Sequence, residues 1–211
     1  MEKAATEICS LERWNKLCRR LDLSADAATY ADLIKVHSQS HRAYHTLDHI
    51  AACLNHLDQL RELTDRPDEI EMALWFHDAI YKPMSSTNEE DSADWAADWL
   101  EMRGASNPVI ARITDHILDT KHHDAPANRD GQYMLDIDLS ILGTRDSVYD
   151  IYEKNIRFEY KRVPVFIYRK KRREILKQFL KNERVFTTDY FHTRYEAQAR
   201  ENLRRAIAQL S

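Results

Sequence analysis

The segment FHTRYEAQARENLRRAIAQL, Phe191 to Leu210, decides the fold class. Its apolar positions Tyr195, Ala199, Leu203, Ile207 and Leu210 recur every three or four residues, the spacing that lines side chains along one face of a helix. Toward the N-terminus, Trp14, Leu17, Cys18 and Leu21 repeat the pattern in the segment that begins at Leu11. The same period runs almost throughout and predicts helices over 8–22, 26–39, 46–63, 67–80, 88–103, 106–119, 133–142, 146–162, 165–182 and 189–209. Pro67, followed by Asp68, Glu69 and Glu71, has the chemistry of a helix first turn, where a missing N–H costs nothing and carboxylates oppose the helix dipole. Gly104 and Gly143 read as residues just past helix ends, and Pro108 as one just inside the next start. Three glycines and five prolines in 211 residues leave too few turn-formers for a β-sandwich or barrel, and no glycine-rich phosphate loop can be built. The expectation is an all-α bundle folded as a single domain over 1–211.

Charge and cysteine content narrow the setting. The formal net charge is −4, so the molecule as a whole does not attract nucleic acid, and a nucleic-acid partner is not expected. The cations are unevenly placed, with a dense run from Arg157 to Arg184 that reads as a solvated helix face, part of which could meet an anionic ligand. No stretch approaches the roughly 18 to 20 apolar residues of a membrane span, so no membrane partner is expected. The opening MEKAATEICSLERW lacks an apolar signal region. Cys9, Cys18 and Cys53 form no C-x-x-C pair and read as reduced, packed thiols of a cytoplasmic protein. Apolar helix faces pack within a chain or between chains, so homo-oligomerisation is compatible with the pattern.

The histidines and the buried-looking acids carry the chemistry. His45 and His49 stand four apart in YHTLDHI, so on a helix they share a face. His77 and Asp78 directly follow the apolar Leu74-Trp75-Phe76, where a polar pair is expensive to bury without a partner. His122 and His123 lie in the stretch of weakest periodicity, and Asp136 and Asp138 sit inside the apolar run MLDIDLSILG. A divalent cation explains such a set, because imidazole nitrogens and carboxylate oxygens are its usual ligands and its charge offsets their burial. Trp75, Trp95 and Trp99 read as core.

The ordered combination is more specific than its parts. H-x-x-x-H, then HD about 28 residues later, then an Asp some 60 residues on, within a helical chain, resembles the HD superfamily of metal-dependent phosphohydrolases. YHTLDHI, WFHDAIY, NEEDSA, DIDLSILG, IRFEY and FTTDYFHTRYEAQARENL extend the resemblance to a small bacterial group of predicted HD phosphohydrolases, from about residue 10 to 209. It implies an HD-domain bundle with a metal-site core over about 40–145 and additional C-terminal helices over about 146–209. It also implies that His49, His77, Asp78 and Asp138 bind metal, with Asp138 chosen over Asp136 because the family's distal ligand begins the segment leading to the leucine-glycine stop. By the same resemblance His45 protonates the leaving oxygen.

A bound divalent ion (Mn, Fe, Co, Ni or Zn, one or two per chain) would lower the pKa of its water to roughly 7 and polarise a phosphoryl oxygen. Asp78 could bridge two ions, with His122 or His123 completing the second site. Glu89 or Glu90 could orient the water, and Arg42, Lys121 and Arg157 are the expected partners of an anionic substrate. The expected activity is hydrolysis of a phosphomonoester, phosphodiester or pyrophosphate bond of a small phosphorylated molecule, with a nucleotide as the first choice. Two other readings compete: a di-iron oxygenase drawing on His116, His122 and His123, and a nucleotide-binding regulatory module without turnover.

Overall fold

The structure, a computed structural model, describes residues 2–121 and 126–210. The described residues form helices and contain no strand: α1 (Glu2–Ile8), α2 (Leu11–Arg20), α3 (Ala27–His37), α4 (Leu47–Leu60), α5 (Pro67–Phe76), α6 (Asn88–Met102), α7 (Asn107–Asp119), α8 (Arg129–Asp138), α9 (Asp146–Glu159), α10 (Val165–Lys181) and α11 (Asp189–Gln209), with 3-10 turns over Arg61–Leu63 and Leu139–Gly143. The all-α expectation holds. No described helix is long and apolar enough to cross a membrane.

The helix ends differ from the sequence reading where side chains intervene. The helix expected over 8–22 is broken at Ser10, whose extended backbone and hydroxyl, accepting from the Arg13 N–H at 3.3 Å, start α2 afresh. The helix expected over 67–80 stops at Phe76. Beyond it, the carbonyls of Asp78 and Ala79 are taken by the Arg42 guanidinium at 2.7 and 3.0 Å, and the Ile80 N–H by Ser92 Oγ at 3.0 Å. Helix α8 begins at Arg129 rather than 133, with Asn128 Oδ1 accepting from the Gly131 N–H at 2.6 Å. At Gly104 the backbone has φ of +86°, and its N–H and that of Ala105 return to Glu101 and Leu100 at 3.0 Å, closing α6 as the glycine predicts.

The chain packs as two compact units, Met1–Ile137 and Asp138–Ser211. The reason is that the later helices enclose an apolar centre of their own. The first unit is built on Trp14, Trp75 and Trp99, all essentially unexposed, with Trp14 centred 5.6 Å from Trp75 and 5.1 Å from Trp99. Beside them the wholly buried Glu71 accepts from Arg13 at 2.7 Å, from Arg20 at 2.8 Å and from Arg61, tying α5 to α2 and to the 3-10 turn. Three guanidinium partners make that burial affordable. Asp130 of α8 accepts from the Asp65 and Arg66 N–H groups at 2.8 Å, satisfying donors at the start of α5.

The second unit closes around Tyr149, Ile156, Leu176, Phe186, Phe191 and Leu203. Asn202 of α11 donates to the Leu142 and Thr144 carbonyls at 2.9 and 2.7 Å. Gly143 lies between them, and a Cβ there would come within 2.5 Å of Tyr195 Cβ. The glycine therefore permits a close approach of α11 in addition to ending the preceding turn.

Candidate metal centre

Helix α4 carries His49 on a buried face, with Cys53 one turn later; Cys53 Sγ is 3.7 Å from His49 Nδ1. His45 falls just before this helix, in the turn that Thr46 leads into α4, so the two histidines do not share a continuous helical face. Their rings are 6.2 Å apart, and His45 stacks on Tyr81 at 4.1 Å. His77 caps the end of α5, and Asp78 follows in the turn.

The two imidazoles meet tip to tip. His49 Nε2 and His77 Nε2 are 3.2 Å apart, both rings buried. The Leu74 carbonyl lies 3.0 Å from His77 Nδ1. A carbonyl can only accept, so Nδ1 holds a proton. Asp78 Oδ2 stands 3.2 Å from His77 Nε2 and 3.5 Å from His49 Nε2. That oxygen is buried and makes no hydrogen bond of ordinary geometry. Burial pushes the Asp78 carboxyl up, but the facing His77, His45 and His49 outweigh it and hold it well below the usual carboxylate range.

Asp138 supplies the next donor. It is the last residue of α8, a helix whose preceding residues belong to the first unit. One oxygen of its carboxylate lies with a ligand atom of His49 and one of His77, all within 4.8 Å of one another. Asp136, two residues earlier, is fully buried and is not in that group. Comparison with family models, curated proteins and solved structures finds no match to this chain. The centre is therefore judged by its own geometry. Two imidazole nitrogens and two carboxylates lie close together here, and these are the ligand types of a divalent transition ion.

The remaining sequence candidates are spread more widely. Arg42 is buried, and its guanidinium donates to the carbonyls of His45 at 3.1 Å, Asp78 at 2.7 Å and Ala79 at 3.0 Å, and to Gln39 at 3.3 Å. It clamps the HD turn to the turn that bears His45, with its guanidinium carbon 5.4 Å from the centre of the Tyr81 ring. Lys121 donates to the Ser86 carbonyl at 2.9 Å and pairs with Glu90, while Glu89 is half-buried in the first turn of α6. Arg157 donates to the carbonyls of Tyr160 and Val163 at 2.7 and 3.2 Å, so it staples its own turn. His116 lines a separate cavity of about 170 Å³ with Asp65, Arg66 and Arg112. His122 and His123 lie outside the described residues.

Tyr81 is not singled out by the sequence reading and Cys53 is read there only as a packed thiol, although each has a signal. Tyr81 closes the WFHDAIY motif, and Cys53 stands four residues after His49. His37, at the end of α3, is a third omission. Burial, with Arg42 adding to it, pushes its imidazole down to about 3, so a neutral ring packs near the HD turn.

Proposed function

We propose that this chain is a metal-dependent phosphohydrolase acting on a small phosphorylated molecule, with a nucleotide as the first candidate. The observation that carries the reading is the pair of buried Nε2 atoms 3.2 Å apart, with the Asp78 oxygen beside both and Asp138 joining the group. His49, His77, Asp78 and Asp138 would hold the ion. Bound there, a divalent transition ion supplies an activated water and a Lewis acid toward a phosphoryl oxygen.

The chain's own residues do the rest. The Leu74 carbonyl keeps a His77 proton on Nδ1, the arrangement in which Nε2 would be the ligand atom. Arg42 fixes the backbone of Asp78 and Ala79, so the HD pair keeps its geometry without substrate. His45, half-buried against Tyr81, would carry the proton for the departing oxygen. Glu89 is the residue to test for orienting water.

The experiment is phosphate release from nucleotides, sugar phosphates and an aryl phosphodiester. Metal-stripped protein is resupplied in turn with manganese, iron, cobalt, nickel, zinc and magnesium, with a pyrophosphatase in half of each reaction. Restored turnover with one of these ions, silent in a folded His77→Ala, Asp78→Ala variant, is the expected result. Turnover that survives the double substitution, or protein that retains no metal above background, would sink the proposal.

A further inference from the structure

Helices α9 and α10 meet in a tight corner that faces solvent with bulky apolar side chains. Phe158 is 43% exposed, and the first turn of α10 exposes Val165 at 53%, Phe166 at 74% and Ile167 at 42%. Exposed apolar residues scattered singly are ordinary, but three in succession on one helical turn are not. The corner is also stiff. Arg157 donates to the Tyr160 and Val163 carbonyls, its guanidinium lies 4.7 Å over the Tyr168 ring, and the Lys161 N–H returns to Phe158 O at 3.0 Å. The apolar tip is therefore held out by internal bonds.

Charge surrounds it. Between Tyr160 and Arg173 the sequence contains no acidic residue and seven cations, in a chain of net charge −4. Arg172 is used internally, donating to Glu153 at 2.6 Å and to the Tyr152 hydroxyl at 2.9 Å. Lys161, Arg162, Arg169, Lys170 and Lys171 are exposed, and Arg162, Arg169 and Lys170 make no ion pair with any described residue.

We infer that this corner docks on an anionic bilayer surface, with Phe166 and its apolar neighbours entering the headgroup–acyl boundary and the cations lying among lipid phosphates. Each half of the feature fits that partner: apolar side chains gain by leaving water, and cations gain from the negative surface potential. A second copy presenting the same corner would bring like charges together. Nucleic acid would use the cations but gives Val165 and Ile167 nothing to bury against. The sequence expectation of no membrane partner rested on the lack of a spanning segment, which has no bearing on contact at the surface. This inference is independent of the metal centre.

The test is co-sedimentation of the full chain with phosphatidylcholine vesicles, with and without about a third phosphatidylglycerol. Binding should appear with the anionic lipid, weaken as salt rises, and fall about tenfold or more in Phe166→Ser, Ile167→Ser and likewise in Arg169→Glu, Lys170→Glu. All these positions are exposed, so the variants should keep the parent circular dichroism. A Phe166→Trp variant should shift its emission to the blue on anionic vesicles only. The inference is overturned if the vesicles bind no better with anionic lipid, or if the apolar pair can be replaced without loss. Tighter binding to an oligonucleotide than to vesicles, or self-association that the Phe166→Ser, Ile167→Ser change abolishes while vesicles stay unbound, overturns it as well.

Discussion

Replacing Arg42 tests whether the geometry of the candidate metal centre depends on a clamp at its back. Arg42→Ala removes the donors of three backbone carbonyls, those of His45, Asp78 and Ala79, at a side chain only 6% exposed. A buried acceptor left unmade costs about 1–3 kcal/mol. Water entering the vacated space would recover part of it, so the lower half of that range applies to each carbonyl. Loss of the contact over Tyr81 at 5.4 Å adds about 0.5–1 kcal/mol. The expected cost is about 5 kcal/mol, a fall of roughly 15 °C in the melting midpoint for a chain of this size. Arg42→Lys should cost about half as much, because one ammonium cannot serve three divergent carbonyls. Urea unfolding followed by circular dichroism measures both. In folded Arg42→Lys, calorimetric titration with manganese or zinc should show affinity about 10–100-fold weaker, the usual effect of losing support behind metal ligands. A stability loss below about 1 kcal/mol in Arg42→Ala would refute the clamp. Unchanged metal affinity in a destabilised Arg42→Lys would refute its link to the centre.

Three further outcomes follow from individual environments. A methyl added at Gly104 meets nothing within 4 Å but must adopt φ of +86°, so Gly104→Ala should cost about 1 kcal/mol by thermal unfolding, with no change in structure. Because His37 is held down to about 3 from an ordinary 6.5, the unfolded chain binds a proton there before the native chain does. Its contribution is complete above pH 6.5 and is lost as pH falls toward 3, so His37→Gln should flatten the acid limb of a stability–pH curve, and an unchanged slope would count against the assignment. Burial raises the thiols of Cys9 to about 12 and Cys18 to about 11, and Cys53 is only 1% exposed. A colourimetric thiol reagent at pH 8 should therefore label all three only as fast as the protein opens.

The amphipathic period along Trp14–Leu21 and Tyr195–Leu210, and the scarcity of glycine and proline, determined the helical class without reference to any contact. These are local properties, and burial of one helical face follows directly from them. The imidazoles and acids among apolar residues likewise marked a candidate cation site, with His49, His77, Asp78 and Asp138 chosen through the family resemblance, and the structure brings ligand atoms of His49, His77 and Asp138 within 4.8 Å of one another. Where each helix stops was not legible. Helix α5 gives way after Phe76 to a turn whose Asp78 and Ala79 carbonyls are taken by Arg42, far away in sequence. The tasks of the arginines were hidden for the same reason. A guanidinium near a histidine motif reads as a phosphate partner, and nothing in the local pattern announces that Arg42 also donates to three carbonyls and Arg157 to two. Sequence fixes which groups can bond, but a hydrogen bond is made over about 3 Å, and only tertiary packing brings one donor rather than another within that reach.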